Sequence, residues 1–230
     1  MLERLETQPN MEGVQLMAGT AVGLLAQSDI QPRLGGSIAA RINGAPRQPQ
    51  DIDLELRSPT TLRRAFETLV NADADVVRED GAQFRVTGQR VGDLTDGLGG
   101  MVRLDFTHQQ SGERRSVNVD LTNENNPVFN RHLISPAERG VRPAEPQYVT
   151  PPELVMNYLD RLMHKTDVGV AKGDAVQIAS ILRQANFDPN NPADIRHMRE
   201  QIGGLVRPES RAAFGEKFDE LAHAMRSGHL

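Results

Sequence analysis

The chain has 230 residues, 38% of them hydrophobic, with a formal net charge of −5 and neither cysteine nor tryptophan. That size allows a real buried core, in one large domain or in a domain with a helical appendage. The missing cysteines exclude disulfide scaffolds, thiolate nucleophiles and cysteine–zinc sites; the acidic balance excludes a whole-surface nucleic-acid face while leaving room for a local basic patch.

The start, MLERLETQPN, lacks the basic-then-apolar layout of a secretion signal, and no apolar run approaches the roughly 20 residues of a membrane-spanning helix. The cytosol is the expected compartment, with no membrane partner. From residue 11, Val14, Met17, Ala18, Ala21, Val22, Leu24 and Leu25 recur at helical spacing and predict a helix over 11–28, buried along one face. After Pro32, residues 33–35 are read as a short strand ending at a glycine turn, and Ser37 to Arg41 as helical. Gly44, Pro46 and Pro49 mark a loop, and DIDLEL, residues 51–56, is a strand. Ser58-Pro59-Thr60 opens a helix to about residue 71 with Leu62, Ala65, Phe66 and Leu69 as its inner stripe.

From 76 to 122 the period changes to two. VVRED, AQFRVTG, MVRLDFTH and RSVNVDLT read as short strands, with turns at Asp80-Gly81, at the glycine-rich residues 97–100 and at Ser111-Gly112. A two-residue turn at Ser111-Gly112 would set residue 105 opposite 118 and residue 103 opposite 120, with Arg103, Asp105, Asn118 and Asp120 on one polar face. Residues 123–152, rich in Asn and Pro, read as a long loop ending in a helix start with Thr150 as N-cap and Glu153 three residues on. Helices are predicted over 152–165, 171–186, 192–203 and about 208–226. The expected fold class is α+β: residues 1–145 form a mixed β-sheet domain with flanking helices, and residues 146–230 a helical domain.

Chemistry concentrates in residues 34–56. Gly35-Gly36-Ser37 is a small-residue turn of the kind that holds phosphate, and it precedes a strand whose alternation sends Ile52, Leu54 and Leu56 to a core and Asp51, Asp53 and Glu55 to the other face. Like charges two apart on one face repel, by roughly 1 kcal/mol in water and several near a protein surface. A divalent cation is the usual partner that offsets this, since Mg²⁺ and Ca²⁺ prefer carboxylate oxygens.

Gly-Gly-Ser, an arginine and then Asp-hydrophobic-Asp resemble the signature of the nucleotidyltransferase superfamily, the polymerase-β-like fold. The match is closest to the toxin-type branch of type IV toxin–antitoxin and abortive-infection systems, with Arg47-Gln48-Pro49-Gln50-Asp51-Ile52-Asp53 as its segment and Pro49 where that branch has a hydroxyl residue. The resemblance implies that Gly35, Gly36 and Ser37 hold the triphosphate of an NTP and that Asp51 and Asp53 carry two Mg²⁺ ions, with a third carboxylate on a later strand. Asp105 in VRLDFT and Asp120 in VNVDLT both fit locally; the resemblance favours Asp120, which is followed closely by Glu124. The alternative for Asp120 is a cross-strand pair with Arg103, worth about 0.2–1 kcal/mol. Arg47 either braces the loop or touches phosphate. Pro152-Glu153-Leu154-Val155 and Ala171-Lys172-Gly173-Asp174 resemble two helix starts of the same branch, with Tyr158 and Gln177 departing from it. Lys172 is thereby a candidate phosphate contact, and Lys165 is more simply a solvated helix end.

The six histidines, at 108, 132, 164, 197, 223 and 229, show no zinc-type spacing, and neither a Walker loop nor a Gly-x-Ser-x-Gly elbow is present. The expected function is Mg²⁺-dependent transfer of an NMP from an NTP to an acceptor hydroxyl on an RNA end or a protein, with an antitoxin as a possible partner. Two alternatives stand beside it. One is a small-molecule nucleotidyltransferase of the antibiotic-modifying sort, for which Glu55, Glu79 and Glu124 would line an acidic pocket. The other is a non-catalytic module binding a partner through its helices.

Overall fold

A computed structural model describes residues 11–77, 81–95, 98–126, 131–136, 138–140, 149–164 and 168–230. The architecture is α+β: a mixed sheet with helices, followed by a helical C-terminal region. The described residues of 11–38 and 48–126 belong to one compact unit, and those of 39–47, 131–140 and 149–230 to a second.

The first unit contains α1 (Met11–Ala26), β1 (Arg33–Leu34), the start of α2 (Gly36–Ile42), β2 (Asp51–Leu56), α3 (Pro59–Val70), β3 (Asp73–Val77), β4 (Gln83–Arg90), β5 (Gly99–His108) and β6 (Arg114–Asn123). Among the described residues its strands lie in the order β1-β2-β6-β5-β4-β3. β2 and β6 are parallel, and every other neighbouring pair is antiparallel. The alternation of DIDLEL holds, with Ile52, Leu54 and Leu56 buried and the three acids half-buried. Val102, Leu104 and Phe106 on β5 and Val117, Val119 and Leu121 on β6 complete the same apolar face. Onto it packs α3, whose stripe is the predicted Leu62, Ala65, Phe66 and Leu69. Ser58 caps that helix by accepting from the Thr61 N–H at 3.1 Å, and Pro59 occupies a first-turn position that needs no donor.

Three expectations are corrected here. The β5–β6 hairpin does not close through two residues; its last strand pair is Thr107 with Arg114. Side chains hold the longer turn: the Ser111 N–H donates to His108 Nδ1 at 3.1 Å, and the Glu113 N–H to Ser111 Oγ at 3.2 Å. Asp105 therefore faces Ser116, Arg103 faces Asn118, and Met101 faces Asp120. The shift is two residues, so each side chain keeps its expected face. β3 begins at Asp73, earlier than VVRED, whose residues 78–80 lie outside the described chain together with the Asp80 turn position. Finally, Gly99 and Gly100 belong to β5 rather than to a turn. A Cβ on Gly100 would stand 2.9 Å from the Phe66 ring, so the bare backbone there is what lets α3 approach.

In the second unit α4 (Pro151–His164), α5 (Val168–Gln184), α6 (Pro192–Leu205) and α7 (Arg211–Arg226) surround a core that includes Leu154, Leu159, Ile178, Leu182, Phe214 and Phe218. At the start of α4, Glu153 accepts from the Thr150 backbone N–H at 2.9 Å, the reciprocal half of a capping box, and from the Thr150 hydroxyl at 2.8 Å. Glu153 is buried and also binds Arg139 at 2.6 Å. Among the described residues no helix is long and apolar enough to cross a membrane.

The tightest backbone approach in the sheet unit is at Gly88 on β4, where a Cβ would lie 1.8 Å from the Leu69 carbonyl oxygen at the end of α3. Backbone cannot rotate away as a side chain can. Gly88→Ala is expected to destabilise the protein by at least about 2 kcal/mol, within the range for overpacking a core, measured as a lowered denaturant midpoint at unchanged slope.

Candidate functional site

The parallel pairing of β2 with β6 sets Asp51 beside Asn118 and Asp53 beside Asp120. All four side chains leave the face opposite the core, on strands about 4.8 Å apart. Three carboxylates from stretches nearly 70 residues apart in sequence thus meet on one face of the sheet. Their proximity is registered electrostatically: burial raises the Asp120 carboxyl above its ordinary range, and the charge of Asp51 raises it further. Among the described residues no lysine or arginine pairs with Asp51 or Asp120.

The glycine turn abuts this group. Gly36 has φ +54°, and a Cβ built on it would lie 1.6 Å from Asp53 Oδ2 and 2.3 Å from Asp53 Cγ. Any side chain at position 36 would occupy the place of the Asp53 carboxylate, so both the backbone angle and the space require glycine. Ser37 Oγ donates to Asp51 Oδ1 at 3.3 Å. Gly35 is engaged differently: its N–H donates to the Asp53 backbone carbonyl at 2.9 Å, extending the pairing of β1 with β2. The N–H groups of Gly36 and Ser37 open α2 and have no intrahelical acceptor.

Of the two candidates for the third carboxylate, the geometry groups Asp120 with Asp51 and Asp53. Asp105 is held elsewhere. Arg103 Nε donates to it at 2.9 Å and the Ser116 hydroxyl donates to the same oxygen. Burial alone would raise the Asp105 carboxyl, but these two donors outweigh it and hold it below the ordinary range. The Arg103–Asp120 cross-strand pair does not form, because Arg103 lies opposite Asn118 and reaches along its own strand instead.

The other acids named in the sequence are placed as follows. Glu55 pairs with Arg33 at 3.6 Å, Glu124 is buried, and Glu79 lies outside the described residues. Arg47 and Lys172 both belong to the second unit and have exposed side chains; the Arg47 backbone N–H donates to the buried Gln177 Oε1 at 3.1 Å. Pro49, in the position of the family's hydroxyl residue, is buried. Asp174 is buried and lies 3.4 Å from Arg161. Lys165 is outside the described residues.

Two histidines that show no spacing signal nevertheless come together in the second unit. The rings of His132 and His164 stack at 5.3 Å between centroids, beside Asp160. The sequence held half of this grouping, since Asp160 and His164 are four apart on a predicted helix and so share a face.

The donor set at Asp51, Asp53 and Asp120 fits hard divalent cations: it is all oxygen, and two of its three carboxylates lack a basic partner among the described residues. No family model matches the chain, and no curated protein matches it. Two solved structures from Helicobacter pylori resemble it in outline. One is JHP933, at 13% identity over 97% of this chain and 99% of that one, with a TM-score of 0.45. The other, described as "putative nucleotidyltransferase from H. pylori", is at 13% identity over 93% and 95%, with a TM-score of 0.41.

A carboxyl whose folded-state pKa is raised contributes stability that is complete below its unfolded pKa and is lost as pH rises through the folded value. Asp120→Asn removes that loss. The variant should therefore gain stability relative to the parent as pH is raised from about 3 to 7, measured by denaturant midpoints across the range; a pH-independent difference would contradict the environment described for Asp120.

Proposed function

We propose that this chain is a metal-dependent nucleotidyltransferase that moves an NMP from an NTP to an acceptor hydroxyl, in the manner of the toxin-type enzymes whose signature it resembles. The observation that carries the proposal is the convergence of Asp51, Asp53 and Asp120 on one sheet face, against a glycine turn in which Gly36 touches the Asp53 carboxylate. In this reading the three aspartates hold two Mg²⁺ ions, which supply charge neutralisation and polarisation of the phosphoryl oxygens.

The chain's own residues do the positioning. The absent side chain at Gly36 lets Asp53 sit at the turn, and the Ser37 hydroxyl holds one oxygen of Asp51. The N–H groups of Gly36 and Ser37 are the donors proposed for the triphosphate, while the Gly35 N–H keeps the turn joined to β2. Asp120, beside Asp53 on the neighbouring strand, is the carboxylate proposed to accept a proton from an attacking hydroxyl. An RNA end or a protein hydroxyl is the proposed acceptor class. An antibiotic-like cationic substrate is less well supported, since Glu55 is engaged by Arg33 and Glu124 is buried.

The test is incubation of the purified chain with each radiolabelled NTP, Mg²⁺, total tRNA and its own polypeptide. Label is expected in RNA or protein, abolished by EDTA, lowered at least about 100-fold by Asp53→Asn, as for loss of a main electrostatic stabiliser, and changed little by Asp105→Asn. Label that survives Asp53→Asn, or no transfer from any NTP, would remove the proposal.

A further inference from the structure

We infer that His132, Asp160 and His164 form a transition-metal site in the helical unit, suited to Zn²⁺ and separate from the carboxylate group on the sheet. The three supply ligand atoms that all lie within 4.8 Å of one another. Two come from one helix face, since Asp160 and His164 are one turn apart on α4. The third comes from a segment whose backbone is fixed: the Arg207 N–H donates to the His132 carbonyl at 2.9 Å, the Ile134 N–H donates to the Leu205 carbonyl at 2.8 Å, and Leu133 bridges Val206.

The polar partners of these residues point to a ligand rather than to a closed ion pair. His132 Nδ1 lies 3.0 Å from Ser210 Oγ. With the Nδ1 proton donated to that hydroxyl, Nε2 carries the lone pair, which is how an outer partner normally sets a metal-binding imidazole. That Nε2 is buried and has no hydrogen-bond partner among the described residues; the same holds for Asp160 Oδ1. His164 Nε2 stands 3.7 Å from Asp160 Oδ1, beyond hydrogen-bond distance. In that tautomer the cluster holds a buried imidazole lone pair and a buried carboxylate oxygen, each without a hydrogen-bond partner, and a cation placed among them would stabilise both. Small side-chain rotations that bring the three atoms to about 3.3 Å apart would give tetrahedral zinc distances.

Ligand chemistry separates this site from the other. Two imidazoles and one carboxylate favour Zn²⁺, Co²⁺, Ni²⁺ or Fe²⁺ over Mg²⁺, whereas three carboxylates favour Mg²⁺. The His164 side chain is 55% exposed, so an ion can enter from solvent and keep a water or an exogenous ligand in its fourth position. Binding would tie the 131–136 segment to α4 and, through Ser210, to the start of α7.

The test uses the full, tag-free chain in excess Mg²⁺, titrated with Zn²⁺ by calorimetry and with Co²⁺ by visible absorption. One equivalent of Zn²⁺ is expected, with the intense visible bands of a tetrahedral site for Co²⁺. His164→Gln, a change at an exposed position that leaves the apo thermal midpoint in place, should weaken Zn²⁺ binding at least about 100-fold, the upper end of the cost of losing even an outer partner. It should also erase both the cobalt bands and the zinc-induced rise in thermal midpoint; Asp160→Asn should do the same, and Asp53→Asn should change none of them. Failure of the parent to bind Zn²⁺, binding that persists in both His164→Gln and Asp160→Asn, or binding lost in Asp53→Asn would each overturn the inference. None of these readouts depends on nucleotidyl transfer.

Discussion

The candidate site depends on one constraint: apolar side chains beneath β2 and β6 force like charges together above them. Ile52 and Leu54 on one strand, and Val119 and Leu121 on the other, are essentially inaccessible to solvent. Burying each contributes about 1.5–3 kcal/mol, so the four together exceed the few kcal/mol of repulsion among carboxylates near a surface. The acids cannot separate without exposing that apolar face, because in a strand the two faces move together. A cluster that is costly by itself is therefore held by the half of the sheet that does no chemistry.

The same sheet shows how surroundings assign different roles to similar aspartates. Asp105 and Asp120 occupy equivalent hydrophobic-Asp-hydrophobic stretches on paired strands. Arg103 and Ser116 satisfy the first and lower its carboxyl, whereas burial and Asp51 raise the second. One is fixed as an anion by donors that leave it little freedom to bind anything else. The other is an acid whose charge still lacks a counter-charge among the described residues.

Much of this was legible in the chain. The period-two alternation of DIDLEL gave both faces of β2, and the stripe of α3 followed from Leu62, Ala65, Phe66 and Leu69 because a helix packed on a flat sheet must be apolar at that spacing. The glycine turn was visible as a composition; that position 36 in particular must lack a Cβ emerges only when Asp53 is folded against it. The register of the β5–β6 hairpin differs from the one a Ser-Gly pair predicts because the turn is set by side-chain acceptors on His108 and Ser111. The choice between Asp105 and Asp120 could not be made from local pattern, since it rests on which strand lies beside β2. His132 was invisible for a related reason: its proximity to Asp160 and His164 comes from a loop held by backbone bonds to residues 205–207, more than 70 positions away.

The parallel pairing of β2 with β6 has a consequence for biogenesis. Strands β3, β4 and β5 lie between β2 and β6 in the chain, so this pairing closes over a long stretch of sequence. Contacts of such long sequence separation close late, because the loop entropy must be met before they gain anything. A ribosome-bound chain that has emerged only as far as residue 110 carries the glycine turn and both aspartates of β2 but lacks the third acid. The carboxylate group on the sheet face is therefore incomplete until β6 has been made.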